Sequence, residues 1–327
     1  MTRNRMQVSG ARVWRRLGAG VGAAVVTGAA VFGAPVAIAH AHGPEAVASS
    51  APAAAPAATG SAATAQAVAL TPAAATQLAQ AMQAAVQAAS PGTQVGIDVT
   101  DTATGTQLVG LNTGEQFYTA SVVKLLIALD ALNSQGWQPD SATSAEISQM
   151  LSASDDNIAD SLWDADGGDA IVSRMVSLIG LTNTQPPLDP DEWGETLTTP
   201  QDVVTIYHYI TTVVPEPSRD LIMNALGGAD QIAADGTNQY FGIPDAMTGD
   251  AWAIKQGWMT LDASTTLDTT GLVGSGPGQP LRYAVVVLTT QPSDVSWTAG
   301  GAALTAAVAP LQSVLEPTSA AAAQTKA

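Results

Sequence analysis

Lysine is scarce enough in this 327-residue sequence that each copy is informative: there are three, Lys124, Lys255 and Lys326. Lys326 lies in a short terminal tail. Lys124 stands three places after a serine in Ser121-Val122-Val123-Lys124, and Lys255 opens Lys255-Gln256-Gly257. Residues at i and i+3 share one face of a helix, so the ammonium can reach the hydroxyl. Val122, Val123, Leu125, Leu126, Ile127, Leu129 and Leu132 surround that helix on nearly all sides, which predicts burial. Burial disfavours the charged form of a lysine and suits it to act as a base. A helix N-terminus also presents free backbone N–H groups toward an anionic intermediate. The chemistry implied is a serine nucleophile activated by an amine. A capped helix with a snorkelling lysine is the plainer alternative, and the all-round apolar helix weighs against it.

Other chemistries are removed by composition. There is no cysteine, so disulfides, thiolate nucleophiles and Cys-ligated zinc are excluded. Of three histidines, His40 and His42 fall near the N-terminus and His208 stands alone in Tyr207-His208-Tyr209. No G-x-S-x-G accompanies it for a triad, and a histidine metal cluster is not available. A formal charge of −17 repels phosphate backbones and argues against nucleic-acid binding. No metal or organic cofactor is implied. Asp164, Asp166 and Asp169 fail the EF-hand spacing and read as a turn between helices. Gly271 to Gly278 resembles a nucleotide loop only superficially, because Pro277 and a following strand make it a hairpin turn.

The elements that must position these groups are legible in outline. Thr71-Pro72 caps and opens a helix to about residue 89, with Leu78, Met82 and Val86 on one stripe. Residues 95–100 and 108–111 read as a hairpin around a turn at 101–105. Ser121 opens the second helix. The stretch 140–245 is helical with Pro/Gly-rich loops, strands return at 252–259, 265–273 and 281–289, and 299–315 closes the chain as a helix. The pattern is α/β (α+β): a mixed sheet layer with an inserted helical subdomain over about 133–245.

The N-terminus reads as an export signal over residues 1–41. Arg3, Arg5, Arg12, Arg15 and Arg16 precede an apolar Gly/Ala-rich stretch, which ends in overlapping A-x-A patterns at Ala37-Ile38-Ala39 and Ala39-His40-Ala41. An uncleaved anchor is the alternative, since the stretch is nearly long enough to span. Without cysteine no lipobox is possible, and no later segment reads as apolar enough to cross a membrane. Residues 42–70, rich in Ala and Pro, are expected to be a disordered linker, and 316–327 a disordered tail. The folded domain is expected over 71–315. The expected location is secreted or cell-envelope, with no stable membrane insertion after cleavage. The sequence leaves the oligomeric state open.

The order Ser121-Val122-Val123-Lys124, Ser154-Asp155-Asp156, Lys255-Gln256-Gly257-Trp258 resembles the class A β-lactamase and penicillin-binding-protein superfamily, marked by S-x-x-K, S-D-N and K-T-G. Leu162-Trp163, Gly167-Gly168 and Gly180-Leu181 fit the same family. The resemblance spans residues 71–315. It implies a five-stranded antiparallel sheet flanked by helices, plus an all-helical subdomain, and a small-molecule or peptidoglycan-like substrate. Ser121 would form an acyl-enzyme, with Lys124 helping to remove its proton. Ser154 would relay a proton toward the leaving group, and Lys255 would add positive charge near Ser154 and a substrate carboxylate. The backbone N–H groups of Ser121 and Trp258 would form the oxyanion hole. Gln256, Gly257 and either Asp156 or Asn157 would contact substrate.

The sequence departs from that family in three places. Direct alignment puts Asp156 where the family has Asn, and a carboxylate cannot donate as an amide does; a shift of one residue restores Asn157. The E-x-x-L-N loop of class A enzymes has no counterpart, since Glu192 and Glu195 lie in a short stretch that reads as solvated loop acids. Slow deacylation follows. The segment between Lys124 and Ser154 is also short, and Arg282 reads as a strand-end surface charge rather than a carboxylate-binding arginine. Two readings remain: a serine hydrolase acting on a β-lactam, a D-Ala-D-Ala-type peptide or another small amide or ester, or a non-catalytic cell-envelope binding protein on the same scaffold.

Overall fold

The computed structural model describes residues 68–315. The expected export signal, most of the linker and the terminal tail lie outside the described residues. Helix α1 (Pro72–Ala89) opens at Thr71, whose hydroxyl accepts from the Ala74 N–H at 3.2 Å. It leads into the hairpin β1 (Gln94–Asp101) and β2 (Thr106–Leu111), then the two-residue strand β3 (Phe117–Tyr118). A 3-10 turn (Ala120–Val123) runs directly into α2 (Lys124–Ser134). The helical middle comprises α3 (Ser141–Ser152), α4 (Asp156–Ala165), α5 (Ala170–Ile179), the short strand β4 (Leu197–Thr198), α6 (Pro200–Thr212) and α7 (Glu216–Gly227). A single turn, α8 (Ile243–Ala246), precedes β5 (Trp252–Thr260), β6 (Ser264–Val273), β7 (Tyr283–Pro292) and the closing α9 (Trp297–Leu315).

The main sheet has five strands in the order β2-β1-β7-β6-β5, every neighbouring pair antiparallel. It is covered on both faces, which is why β7 is apolar at successive positions, Tyr283 to Leu288, rather than alternating. Along β7, Tyr283, Val285 and Val287 enter one core with α1 and α9, while Ala284, Val286 and Leu288 enter the other with α2 and the helical middle. On β1 the second face is small and polar: an added side-chain carbon at Gly96 would lie 2.6 Å from the Phe117 ring and 2.7 Å from Pro200. That close approach brings β3 and α6 down onto the sheet.

Two expectations need correction. The second helix does not open at Ser121; the serine lies in the 3-10 turn and α2 begins at Lys124. Helix α9 is long and apolar enough to cross a membrane by length and composition, contrary to the reading that no late segment is. Its apolar side is instead packed into the core, with Leu304, Ala307, Val308 and Leu311 buried together with α1 and the sheet. As expected, a turn joins α4 and α5; it covers residues 166–169, with Gly167 and Gly168 in left-handed backbone, while Asp164 lies in the last turn of α4.

Helix α2 is buried from Lys124 to Leu132, including Asp130. The Asp130 carboxylate is gripped in two places by Arg174 of α5, at 2.9 and 2.5 Å. Arg174→Ala leaves a charge stranded on the core helix. Because the Arg174 side chain is 46% exposed, the loss should be about 2 kcal/mol, below the ~3–5 kcal/mol of a fully buried pair. Urea unfolding of the full chain measures it.

Candidate active site

The 3-10 turn is clamped before the chain reaches Ser121. Strands β3 and β4 pair Phe117 with Thr198 and Tyr118 with Leu197, and the Thr119 N–H donates to Thr196 O at 2.9 Å. Ala120 then takes a left-handed backbone with φ of 40°, costing roughly 1–2 kcal/mol for a residue with a side chain. In a 3-10 turn residues i and i+3 eclipse, so Ser121 and Lys124 are aligned more closely than an α-helix would align them. Lys124 Nζ lies 2.7 Å from Ser121 Oγ.

The third group arrives from the α3–α4 connection. Ser154 is also left-handed, with φ of 53°, and Asp155 caps α4 by accepting from the Asn157 N–H at 2.9 Å. The loop over 230–239 ties this connection down: Asp230 N–H donates to Ser152 O at 3.0 Å and Ala234 N–H to Ala153 O at 2.8 Å. Lys124 Nζ donates toward Ser154 O at 3.1 Å and lies 3.3 Å from Ser154 Oγ. Lys255, on the edge strand β5, comes from the other side, its Nζ 2.9 Å from Ser154 Oγ and 3.1 Å from Gln256 O. The Ser154 hydroxyl therefore sits between two amines, and both lysines are fully buried.

Of the two candidates for the third place of the second motif, Asp156 is the one that reaches the cluster. Its Oδ1 is 2.6 Å from Lys124 Nζ, and its side chain is 22% exposed. Asn157 is exposed on α4, and its side chain makes no hydrogen bond to the cluster. Gln256 is a correction. It is fully buried on the opposite face of β5, its amide donating to Phe241 O at 2.5 Å and accepting from the Thr270 N–H at 3.3 Å, so it does not border the cleft. Gly257 does: a side-chain carbon there would stand 2.7 Å from Thr119 O and 3.3 Å from Ala120 Cβ. Only glycine lets β5 press against the Ser121 turn, with Trp258 next along the strand.

Four residues at the site escaped the sequence reading. The Trp193 ring lies 4.7 Å from Lys124 Nζ, and its indole N–H donates to Asp160 at 2.9 Å. The Trp258 ring lies 5.9 Å from Lys255 Nζ, and its indole N–H donates to Asp235 at 2.9 Å. The fourth, Asp268, is paired with Gly257 across β5 and β6. Its Oδ1 accepts from the Thr289 N–H at 2.9 Å, and its fully buried Oδ2 has no partner. Glu192 and Glu195 lie at the short turn around Trp193, and neither side chain hydrogen-bonds to Ser121, Lys124 or Ser154. His208 is exposed on α6, and Arg282 pairs with Asp101 at 2.8 and 3.0 Å.

Burial dominates the electrostatics. Desolvation pulls the Lys124 pKa below its ordinary value, although the Asp156 carboxylate pushes it back up. Lys255 is held well below the ordinary range by desolvation and then by the charge on Lys124. Arranged this way, the cluster can pass a proton from Ser121 Oγ to an amine and on through a shared hydroxyl.

A model described as the β-lactamase enzyme family matches residues 77–136, from α1 through Ser121 and Lys124. LppW of Mycobacterium tuberculosis, provisionally described as a lipoprotein, is 33% identical over 221 residues, covering 65% of this chain and 68% of that protein. The chain belongs to the β-lactamase-like superfamily. Among solved structures, a fold match is TLA-3 extended-spectrum β-lactamase, with a TM-score of 0.61 at 16% identity over 74% of this chain and 99% of that one. Another is the penicillin G acyl-enzyme complex of PBP-A, at 0.58 and 20% over 73% and 96%. At these identities the likeness is one of fold, and it agrees with the five-stranded antiparallel sheet.

Burial drives the Asp268 carboxyl pKa well above its ordinary value. An acid raised in the folded state contributes its full stability below the unfolded pKa of about 3.9. It loses about 1.4 kcal/mol per pH unit above that, up to the folded pKa. Asp268→Asn should therefore melt like the parent near pH 4 and at a higher temperature at pH 7. Thermal melts at the two pH values check it.

Proposed function

We propose that this protein is an exported serine hydrolase that forms an acyl-enzyme through Ser121 with a small amide or ester, and deacylates slowly. The observation that supports it most is the unbroken chain of contacts Ser121 Oγ–Lys124 Nζ–Ser154 Oγ–Lys255 Nζ, at 2.7, 3.3 and 2.9 Å. In this reading neutral Lys124 takes the Ser121 proton as Oγ bonds to the acyl carbon. The backbone N–H groups of Ser121 and Trp258 hold the oxyanion. When the bond to the leaving group breaks, the proton passes from Lys124 through Ser154 to the departing atom, and Lys255 steadies the Ser154 oxygen. Water later cleaves the Ser121 ester. Glu192 and Glu195 stand off the cluster and the carboxylate bonded to Lys124 is that of Asp156, which fits weak turnover.

The Asp156–Lys124 pair at 2.6 Å favours a second reading, because a carboxylate against the ammonium stabilises its protonated, non-basic form. In that case the protein is a non-catalytic cell-envelope binding protein. The basic and apolar N-terminus and the description of LppW as a lipoprotein both support an envelope location. This chain has no cysteine, so it would not be held by a cysteine-linked lipid.

Mass spectrometry after incubation with 4-nitrophenyl acetate and, separately, a fluorescent penicillin decides between them. A single adduct that disappears in Ser121→Ala is expected from at least one reagent; no adduct from either leaves the binding reading. The pH dependence of acylation carries a second expectation. The rate should rise as Lys124 loses its proton, along a limb that begins below the ordinary lysine range because burial lowers the pKa. Asp156→Asn removes the charge that favours the protonated form, so the limb should move to lower pH.

A further inference from the structure

We infer that the cleft selects acyl donors that carry no carboxylate, and prefers an amine-bearing donor to its neutral analogue. This rests on the reading of Ser121 as nucleophile and adds to it the charge of the substrate.

The argument begins with the cations. The Lys124 ammonium has three N–H groups and four acceptors within reach: Ser121 Oγ, Ser154 O, Ser154 Oγ and Asp156 Oδ1. Lys255 is turned onto Ser154 Oγ and Gln256 O. Neither amine has exposed surface from which to receive an incoming carboxylate. The arginines among the described residues are engaged elsewhere. Arg174 holds Asp130, and Arg219 lies beside Asp220. Arg282 holds Asp101 where β7 begins, level with Trp252 rather than Lys255. That is about 10 Å along the sheet from Lys255 and two strands across. Gln256, the neutral donor next to Lys255, is buried on the other face.

The anions tell the complementary story. Asp156, Asp160 and Asp235 surround the two amines, each through a hydrogen bond to a lysine or to a tryptophan that packs on a lysine. Asp235 is exposed on the loop that ties down Ser154, and Asp156 is partly exposed at the cluster. Three carboxylates therefore face two amines whose charge burial already opposes. A substrate carboxylate entering here meets like charge with no free cation among the described residues, whereas an ammonium meets carboxylates.

Three rigid 4-nitrophenyl esters test this on the full chain: 3-(aminomethyl)benzoate, 3-methylbenzoate and 3-carboxybenzoate. The expected order of Ser121 acylation rates is amine, then neutral, then carboxylate, with about tenfold or more between the ends at low salt. The spread should collapse in 1 M NaCl, where the Debye length is about 3 Å. Asp156→Asn or Asp235→Asn should narrow the amine-to-carboxylate ratio, whatever either does to the absolute rate. Equal rates, or a faster carboxylate ester, overturn the inference while leaving the acyl-enzyme reading intact. If no ester labels Ser121, that reading falls, and non-covalent binding judges charge selection alone. Benzylamine quenching tryptophan fluorescence more tightly than benzoate upholds it; equal binding, or none by benzylamine, overturns it.

Discussion

Two fully buried lysine amines share a single serine hydroxyl, and most of the architecture around them follows from that. An ammonium removed from water costs several kcal/mol unless it is paired and hydrogen-bonded or gives up its proton. Here both outlets are used. Lys124 is paired with Asp156, and Lys255, close to a second positive charge, is driven furthest toward neutrality. The acceptors come from three separate parts of the chain, so α2, the α3–α4 connection and β5 must all be seated for either amine to be satisfied. Left-handed backbone at Ala120 and Ser154 is tolerated at the two points where that seating is tightest.

The substitution of aspartate for the amide at position 156 changes the character of the amine rather than the layout of the site. An amide would leave burial opposed only by the more distant charges of Asp160 and Asp235. A carboxylate opposes burial, and the resulting balance still falls on the side of a lowered pKa. Basicity and capture of the proton are therefore in tension within one residue pair. Asp268 adds a second tension nearby: burial behind Gly257 raises its carboxyl pKa, while the Thr289 N–H pulls it back down.

What could be read in advance depended on how local the signal was. Ser121 and Lys124 are three residues apart, and Lys255 stood out because lysine is so rare, so all three could be singled out before their side chains were seen to converge. Ser154 needed the family resemblance, since a serine before two aspartates means little alone. The choice between Asp156 and Asn157 depended on the left-handed turn at Ser154, which no residue type there announces. Gln256 was misread because strand alternation fixes which side chains share a face but does not say which face borders the cleft; its neighbours Gly257 and Lys255 took that one. Trp193 meets Asp160 across 33 positions and Trp258 meets Asp235 across 23, contacts with no local periodicity. The sheet was better marked, because β7 opens with a long apolar run and turn residues separate the strands. The 3-10 start at Ser121 was not, because valines fit either helix type.

The described chain begins at Val68, in the layer formed by α1 and α9, whereas Ser121 and α2 belong to the other side of the sheet. Val68 packs there against the core built from α1, α9 and the sheet. The α1–α9 layer can therefore be probed by substitution without touching the side chains around Ser121.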